Sequence, residues 1–176
     1  MIFSQFLGSL KSKQTELVAT DTEILNSLNE AFVDCPRPLH FTNWTHCEEC
    51  KEHDDLLCSR DSSSLSLKDV GNVGWDPICS ISPEGFAYYV PALARLAMTK
   101  PEQPFDWFGS QLLPHLCYDG PGNNRVLACT PSQRTAVVLF LNHLSETRAD
   151  LADACYCVDE LLEAIKIWSN GQLCGK

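Results

Sequence analysis

A chain of 176 residues, 44% apolar and 20% charged, has the size and composition of one globular domain with its own core, which excludes a disordered chain. Its formal net charge of -10 and the lack of any Lys/Arg cluster argue against nucleic acid, whose phosphates must be neutralised by clustered cations. The same charge disfavours an anionic membrane surface and fits a basic protein partner. The longest apolar run, Ala136 to Leu141, is far short of the roughly 18 residues of a membrane span.

Residues 1–20 read as a loosely held N-terminal arm, with polar Ser9, Lys11, Ser12, Lys13 and Gln14. Met1 to Leu7 lacks the basic and long apolar regions of a secretory signal, so a cytoplasmic location is expected. Residues 21–176 then form a single domain. Of ten cysteines, Cys35, Cys79, Cys117, Cys129, Cys155 and Cys174 show no tight pairing rhythm. They are expected to be reduced thiols, many of them small buried hydrophobes.

Asp21 is expected to cap a helix with the apolar stripe Ile24/Leu25, Leu28, Ala31/Phe32, stopped by Cys35-Pro36-Arg37-Pro38. A connector with His40, Phe41 and Trp44 comes next, with Asn43 or Thr45 as cap of a helix over 46–58. Residues 61–66 and 71–77 read as a serine-rich loop and a turn around Trp75. Ser82-Pro83-Glu84 starts the next helix, which should kink where Pro91 removes the donor to Ala87. A weaker helix over 105–117 is expected to be interrupted at Gly109 and Pro114. Residues 119–124 are turn chemistry without the lysine of a phosphate loop.

Thr130-Pro131-Ser132-Gln133 is a capping box. The helix it opens is apolar on all sides over Ala136 to Leu141, which points to the central, most buried position. The last helix, about 148–169, carries Leu151, Ala154/Cys155, Val158, Leu161/Leu162, Ile165 and Trp168 on one stripe, and Gly171 is a fitting stop. There are no internal repeats and no strict period-2 strands. The fold expected is all-α, an irregular bundle of five to six helices.

Chemistry concentrates in His46-Cys47-Glu48-Glu49-Cys50-Lys51-Glu52-His53-Asp54-Asp55. Projected on a helix, His46, Cys50, His53 and Leu57 share one stripe, with Cys47, Asp54 and Cys58 flanking it and most carboxylates opposite. Three readings stay open. Packing against a neighbouring helix is the commonest meaning of such a stripe. Zinc takes Cys sulfur and His nitrogen, so His46, Cys47, Cys50 and His53 form a candidate ligand set, with His40, Cys58 or Cys79 as outside contributors. A closed structural site, however, would show a second ligand pair. Cys47 and Cys50 also make a CxxC at a helix start, the spacing of a thiol redox pair. Against redox stand the lack of a preceding strand and the carboxylates Glu48 and Glu49, which should raise a thiol pKa. His115 and His143 read as structural or exposed, and neither an HExxH nor a Gly-x-Ser-x-Gly motif occurs.

His46-Cys47-Glu48-Glu49-Cys50, Pro83-Glu84-Gly85-Phe86-Ala87-Tyr88-Tyr89-Val90-Pro91-Ala92 and Thr130-Pro131-Ser132-Gln133 with Phe140-Leu141 together resemble a family of small bacterial proteins known as a domain of unknown function. Its members share an HCxEC element, a pEAfxYYLPA helix and a t-x-x-Q helix. The resemblance spans about 22–145, with Gly85 and Val90 departing from the pattern. It implies a bacterial cytosolic protein and supplies no catalytic residues.

The function expected is that of a non-enzymatic acidic protein-binding module with a basic partner. Its alternatives are a zinc protein using the HCEECKEH helix and a redox sensor using Cys47 and Cys50. No catalytic constellation is found, and zinc is the one cofactor the residues suggest.

Overall fold

The computed structural model describes residues 18–170. Most of the expected arm and the Gly171 stop lie outside the described residues. In chain order the helices are α1 (Asp21–Ala31), α2 (Glu48–Cys58), α3 (Leu67–Val70), α4 (Pro83–Met98), α5 (Phe108–Cys117), α6 (Asn124–Leu127), α7 (Pro131–Thr147), α8 (Ala149–Ala154) and α9 (Val158–Asn170). No strand occurs among the described residues; Thr42 and Ile81 meet in one isolated antiparallel bridge. The all-α class is therefore as expected. Six helices, α1, α2, α4, α5, α7 and α9, have ten residues or more, and they build one irregular bundle. No described helix is long and apolar enough to cross a membrane.

Side-chain caps write most of the helix starts. Ser82 Oγ accepts the Gly85 amide at 3.0 Å, with Pro83 in the first turn of α4. Thr130 and Gln133 form the expected reciprocal box on α7. At α1 the cap is Thr20 rather than Asp21, because Glu23 completes a capping box only with a residue three places earlier. Asp21, released from capping, instead receives His143 Nε2 at 2.6 Å and Arg148 at 2.7 Å. That pairing ties the start of α1 to the end of α7.

The most buried helix of the bundle is α4, not α7. Twelve of the sixteen residues of α4 are buried, and the helix packs against α1, α5 and α6. Alternation of small Gly85, Ala87, Ala92, Ala94 and Ala97 with large Phe86, Tyr89 and Leu93 lets neighbours approach it from several sides. On α7, by contrast, Leu139 remains 46% exposed. The helix around Pro114 is not interrupted either: α5 runs through both Gly109 and Pro114. Gly109 is there for close approach, since a Cβ would fall 2.2 Å from the Trp107 ring. That buried indole donates to Ala97 O at 2.6 Å.

The expected final helix is two helices. Cys155 to Cys157 break it, with Tyr156 at φ 55 in the left-handed region and the Cys157 amide bonded to Ala152 O at 2.9 Å. The apolar spacing runs on through the break in the sequence, and with no Gly or Pro to mark it the turn is hidden there; in the structure Val158 and Leu162 of the expected stripe are exposed and Leu161, Ala164 and Trp168 are buried.

Fully buried Trp107, Trp168, Tyr89, Phe41 and Phe86 anchor the core. Tyr89 also positions α2. Its hydroxyl lies 2.7 Å from Leu57 O and 2.9 Å from Arg60 O, and Arg37 donates to Cys58 O at 2.6 Å. These bonds seal the C-terminal end of α2 onto the core and leave its N-terminal end at the surface. Tyr89→Phe should lower the unfolding free energy by about 1–2 kcal/mol, the cost of unsatisfied buried carbonyls. Urea unfolding followed by circular dichroism checks this.

Candidate functional site

Asp54 sets the position of α2. It is 3% exposed and accepts the backbone amides of Phe41 at 2.6 Å and Thr42 at 3.0 Å. Its other oxygen meets His40 Nδ1 at 2.7 Å. The Thr42 hydroxyl completes the clamp by donating to Cys50 O at 2.7 Å. The connector before α2 is thus laced to the helix itself. Burial opposes charge on Asp54, but His40 and the Thr42 and Phe41 amides outweigh it and hold the carboxyl below its ordinary value of 3.8.

The clamped connector delivers Cys47 to the N-cap of α2, in place of Asn43 or Thr45. Its backbone is extended, and its sulfur accepts the Cys50 amide at 3.4 Å. Glu48 and Glu49 occupy the first turn, where the helix dipole favours acidic side chains. His46, just before the cap, places Nδ1 3.7 Å from Cys50 Sγ. One donor atom from each of His46, Cys47 and Cys50 lies within 4.8 Å of the others. His46 and Cys47 are exposed and Cys50 is half-buried.

The two thiols are unequal. The Cys50 amide and thiol, with His46 beside them, hold Cys47 below the ordinary 9.0. Cys50 is pushed above it, first by its hydrogen bond to Cys47, then by burial and by the charges of Cys47 and Glu49. The acidic neighbours therefore do not raise Cys47 as the sequence implied, because a directed amide donor outweighs exposed carboxylates.

His53 does not join this group. It is 2% exposed, its Nδ1 meets Ser80 Oγ at 2.9 Å, and its ring packs edge-on to Trp75 at 4.6 Å. Its Nε2 is buried without a partner. Of the four candidate ligands, the structure brings three together and sends the fourth into the core.

Two further His, Cys and Asp groupings occur among the described residues. His40, Asp54 and Cys58 form one, but the carboxylate there is already committed to the connector. Asp76, Cys79 and His115 form the other. Asp76 accepts from Ile78 N, Gln111 and His115 at 2.8–2.9 Å, and Arg125 donates to Ile78 O and His115 O at 2.8–2.9 Å. A guanidinium in that position disfavours a second cation. Burial opposes charge on Asp76, but His115 and Gln111 hold its carboxyl down. These groupings carry structure. The roles of Asp54 and Ser80 were hidden because their partners come from other elements, although the flanking stripe already held Asp54.

Comparison with protein-family models, curated proteins and solved structures returned no match for the chain. The chemistry of the site therefore rests on its own geometry.

Asp21, Asp54, Asp69 and Asp76 all have folded pKa values depressed below 3.8. The unfolded chain then binds protons first, so their contribution is present above 3.8 and is lost as pH falls through the folded values. Stability should be flat above about pH 5 and fall steeply below pH 4. Asp54→Ala, which strands two backbone amides, should cost about 3 kcal/mol at pH 7 and reduce that acid slope. Urea midpoints at several pH values read both effects.

Proposed function

We propose that the protein holds a thiophilic divalent cation, zinc foremost, on His46, Cys47 and Cys50 at the exposed start of α2. The observation that carries this reading is the spacing of the donors. Tetrahedral zinc with Zn–S of about 2.3 Å and Zn–N of about 2.0–2.1 Å needs sulfur and nitrogen about 3.6 Å apart. His46 Nδ1 and Cys50 Sγ stand 3.7 Å apart, with Cys47 Sγ inside the same 4.8 Å group.

Electrostatics supports the same reading. Cys47 opposes the ionisation of Cys50, and a cation between them removes that opposition while binding both as thiolates. Glu48 and Glu49, unhelpful to a bare thiolate, favour a positive ion. Three protein ligands leave one position open, as in sites that present a metal to water or to another ligand. All three come from five consecutive residues, so the ion would contribute little to holding the bundle together. The family resemblance runs through the same residues and supports a bacterial, cytoplasmic setting.

A second reading is favoured by the exposed carboxylates Glu48, Glu49, Glu52 and Asp55. A basic protein surface docking over them would lie next to the open metal position, so partner binding and metal binding are compatible.

Titration of untagged protein with zinc against a competing chromogenic chelator tests the metal reading. One equivalent should bind to the wild type and none at comparable affinity to Cys47→Ala/Cys50→Ala. His53→Ala should bind zinc as the wild type does while unfolding at lower urea. Equal zinc affinity in wild type and double variant would overturn the assignment.

A further inference from the structure

The metal reading uses Cys47 and Cys50 only as reduced ligands, yet their placement also suits chemistry between them. Helix positions three apart have Cα atoms about 5 Å apart, inside the span of about 4.4–6.8 Å that a disulfide accepts. Their sulfurs belong to one group within 4.8 Å, and side-chain rotation brings them together without moving the bundle. Cys47 stands exposed at the helix cap, where a solute can reach it; Cys50 stands half-buried one turn behind it. An accessible attacking sulfur with a less accessible resolving sulfur is an order that favours thiol–disulfide exchange, whose rate depends on access.

Several of the other thiols are set apart from this chemistry. Burial pushes Cys129 up to about 12, and Cys117 and Cys157 up to about 11, so they stay protonated and slow. Cys117 and Cys155 donate to the carbonyls of Glu160 and Pro104, both at 3.2 Å.

We propose that Cys47 and Cys50 form a dithiol–disulfide pair that exchanges with low-molecular-weight disulfides, and that the disulfide and the bound cation exclude each other. The exclusion rests on the metal reading; the exchange does not. In the first step the Cys47 thiolate attacks one sulfur of a small disulfide. The S–S bond breaks, one small thiolate leaves, and a mixed disulfide remains on Cys47. Cys50 then gives up its proton to solvent, and its thiolate attacks the Cys47 sulfur. The mixed disulfide breaks and the second small thiolate leaves. The protein dithiol loses two electrons, and the small disulfide becomes two thiols carrying the two protons. A disulfide has no thiolate to offer a cation, and thiolates bound to a cation are poor nucleophiles. Cellular redox state would therefore decide whether the site carries metal.

The test exposes metal-free full-length protein to oxidised glutathione, with differential alkylation and peptide mass spectrometry as the readout. Wild type should form a Cys47–Cys50 disulfide. Cys50→Ala should accumulate a glutathione adduct on Cys47, and Cys47→Ala should react at Cys50 at least about tenfold more slowly. One equivalent of zinc should slow the wild-type reaction by about tenfold or more. Absence of both the wild-type disulfide and the Cys50→Ala adduct overturns the exchange. Unchanged oxidation in the presence of demonstrably bound zinc overturns the exclusion. Unchanged oxidation with no zinc bound overturns the metal reading and supports the exchange alone.

Discussion

The Asp54 carboxylate is the constraint on which the candidate site depends. A buried charge is costly unless its oxygens are satisfied, and Asp54 is satisfied by Phe41 N, Thr42 N and His40. Those donors all belong to the connector before α2. Ionisation of one aspartate therefore fixes the path of the chain into the helix, and the Thr42 hydroxyl on Cys50 O fixes it a second time. Cys47 can serve as cap, with His46 facing Cys50, only because the preceding residues are held in this way. At the other end, Tyr89 and Arg37 hold the final carbonyls of α2. A helix locked at its middle and its C-terminus presents its first turn as a rigid platform.

On that platform two demands meet. Sulfurs close enough to share a cation repel each other when both are ionised and no cation is present. The protein's partial answer is to favour charge on Cys47, through the Cys50 amide, and to disfavour it on Cys50. The remaining tension can be relieved in two ways, by a cation that binds both sulfurs or by a bond between them. The acidic first turn sharpens the preference for a cation without altering the geometry. The same local structure thus suits the proposed metal binding and the proposed disulfide exchange, which would compete through their shared use of two sulfurs.

The all-α class was legible from helical periodicity and the absence of strand patterning. The starts of α4 and α7 were legible from Ser82-Pro83 and Thr130-Gln133, because a cap is a local contract among four residues. Thr20 was missed because Asp21 is an equally good cap residue, and the choice fell to Glu23 three places beyond Thr20. The break at Cys155 to Cys157 was missed because Tyr156 adopts a left-handed backbone with no glycine to announce it. The deep burial of α4 depends on how neighbours pack around its alanines, which no single segment reveals. At the candidate site, His46, Cys47 and Cys50 were legible because they lie within five residues. His53 was misplaced by projecting a helix over all of 46–58. The helix begins after Cys47, so the His46 ring obeys cap geometry, while His53 turns inward to Ser80 and Trp75, residues supplied by a distant segment.

The central claim is that one imidazole and two thiolates from a single helix start hold a cation with one position left open. X-ray absorption at the zinc edge of the protein carrying one equivalent of zinc addresses it most directly. The expected shell is two sulfurs at about 2.3 Å and two lighter atoms at about 2.0–2.1 Å, one of them with the outer-shell scattering of imidazole. A shell of four sulfurs, or one of nitrogen and oxygen alone, would contradict it.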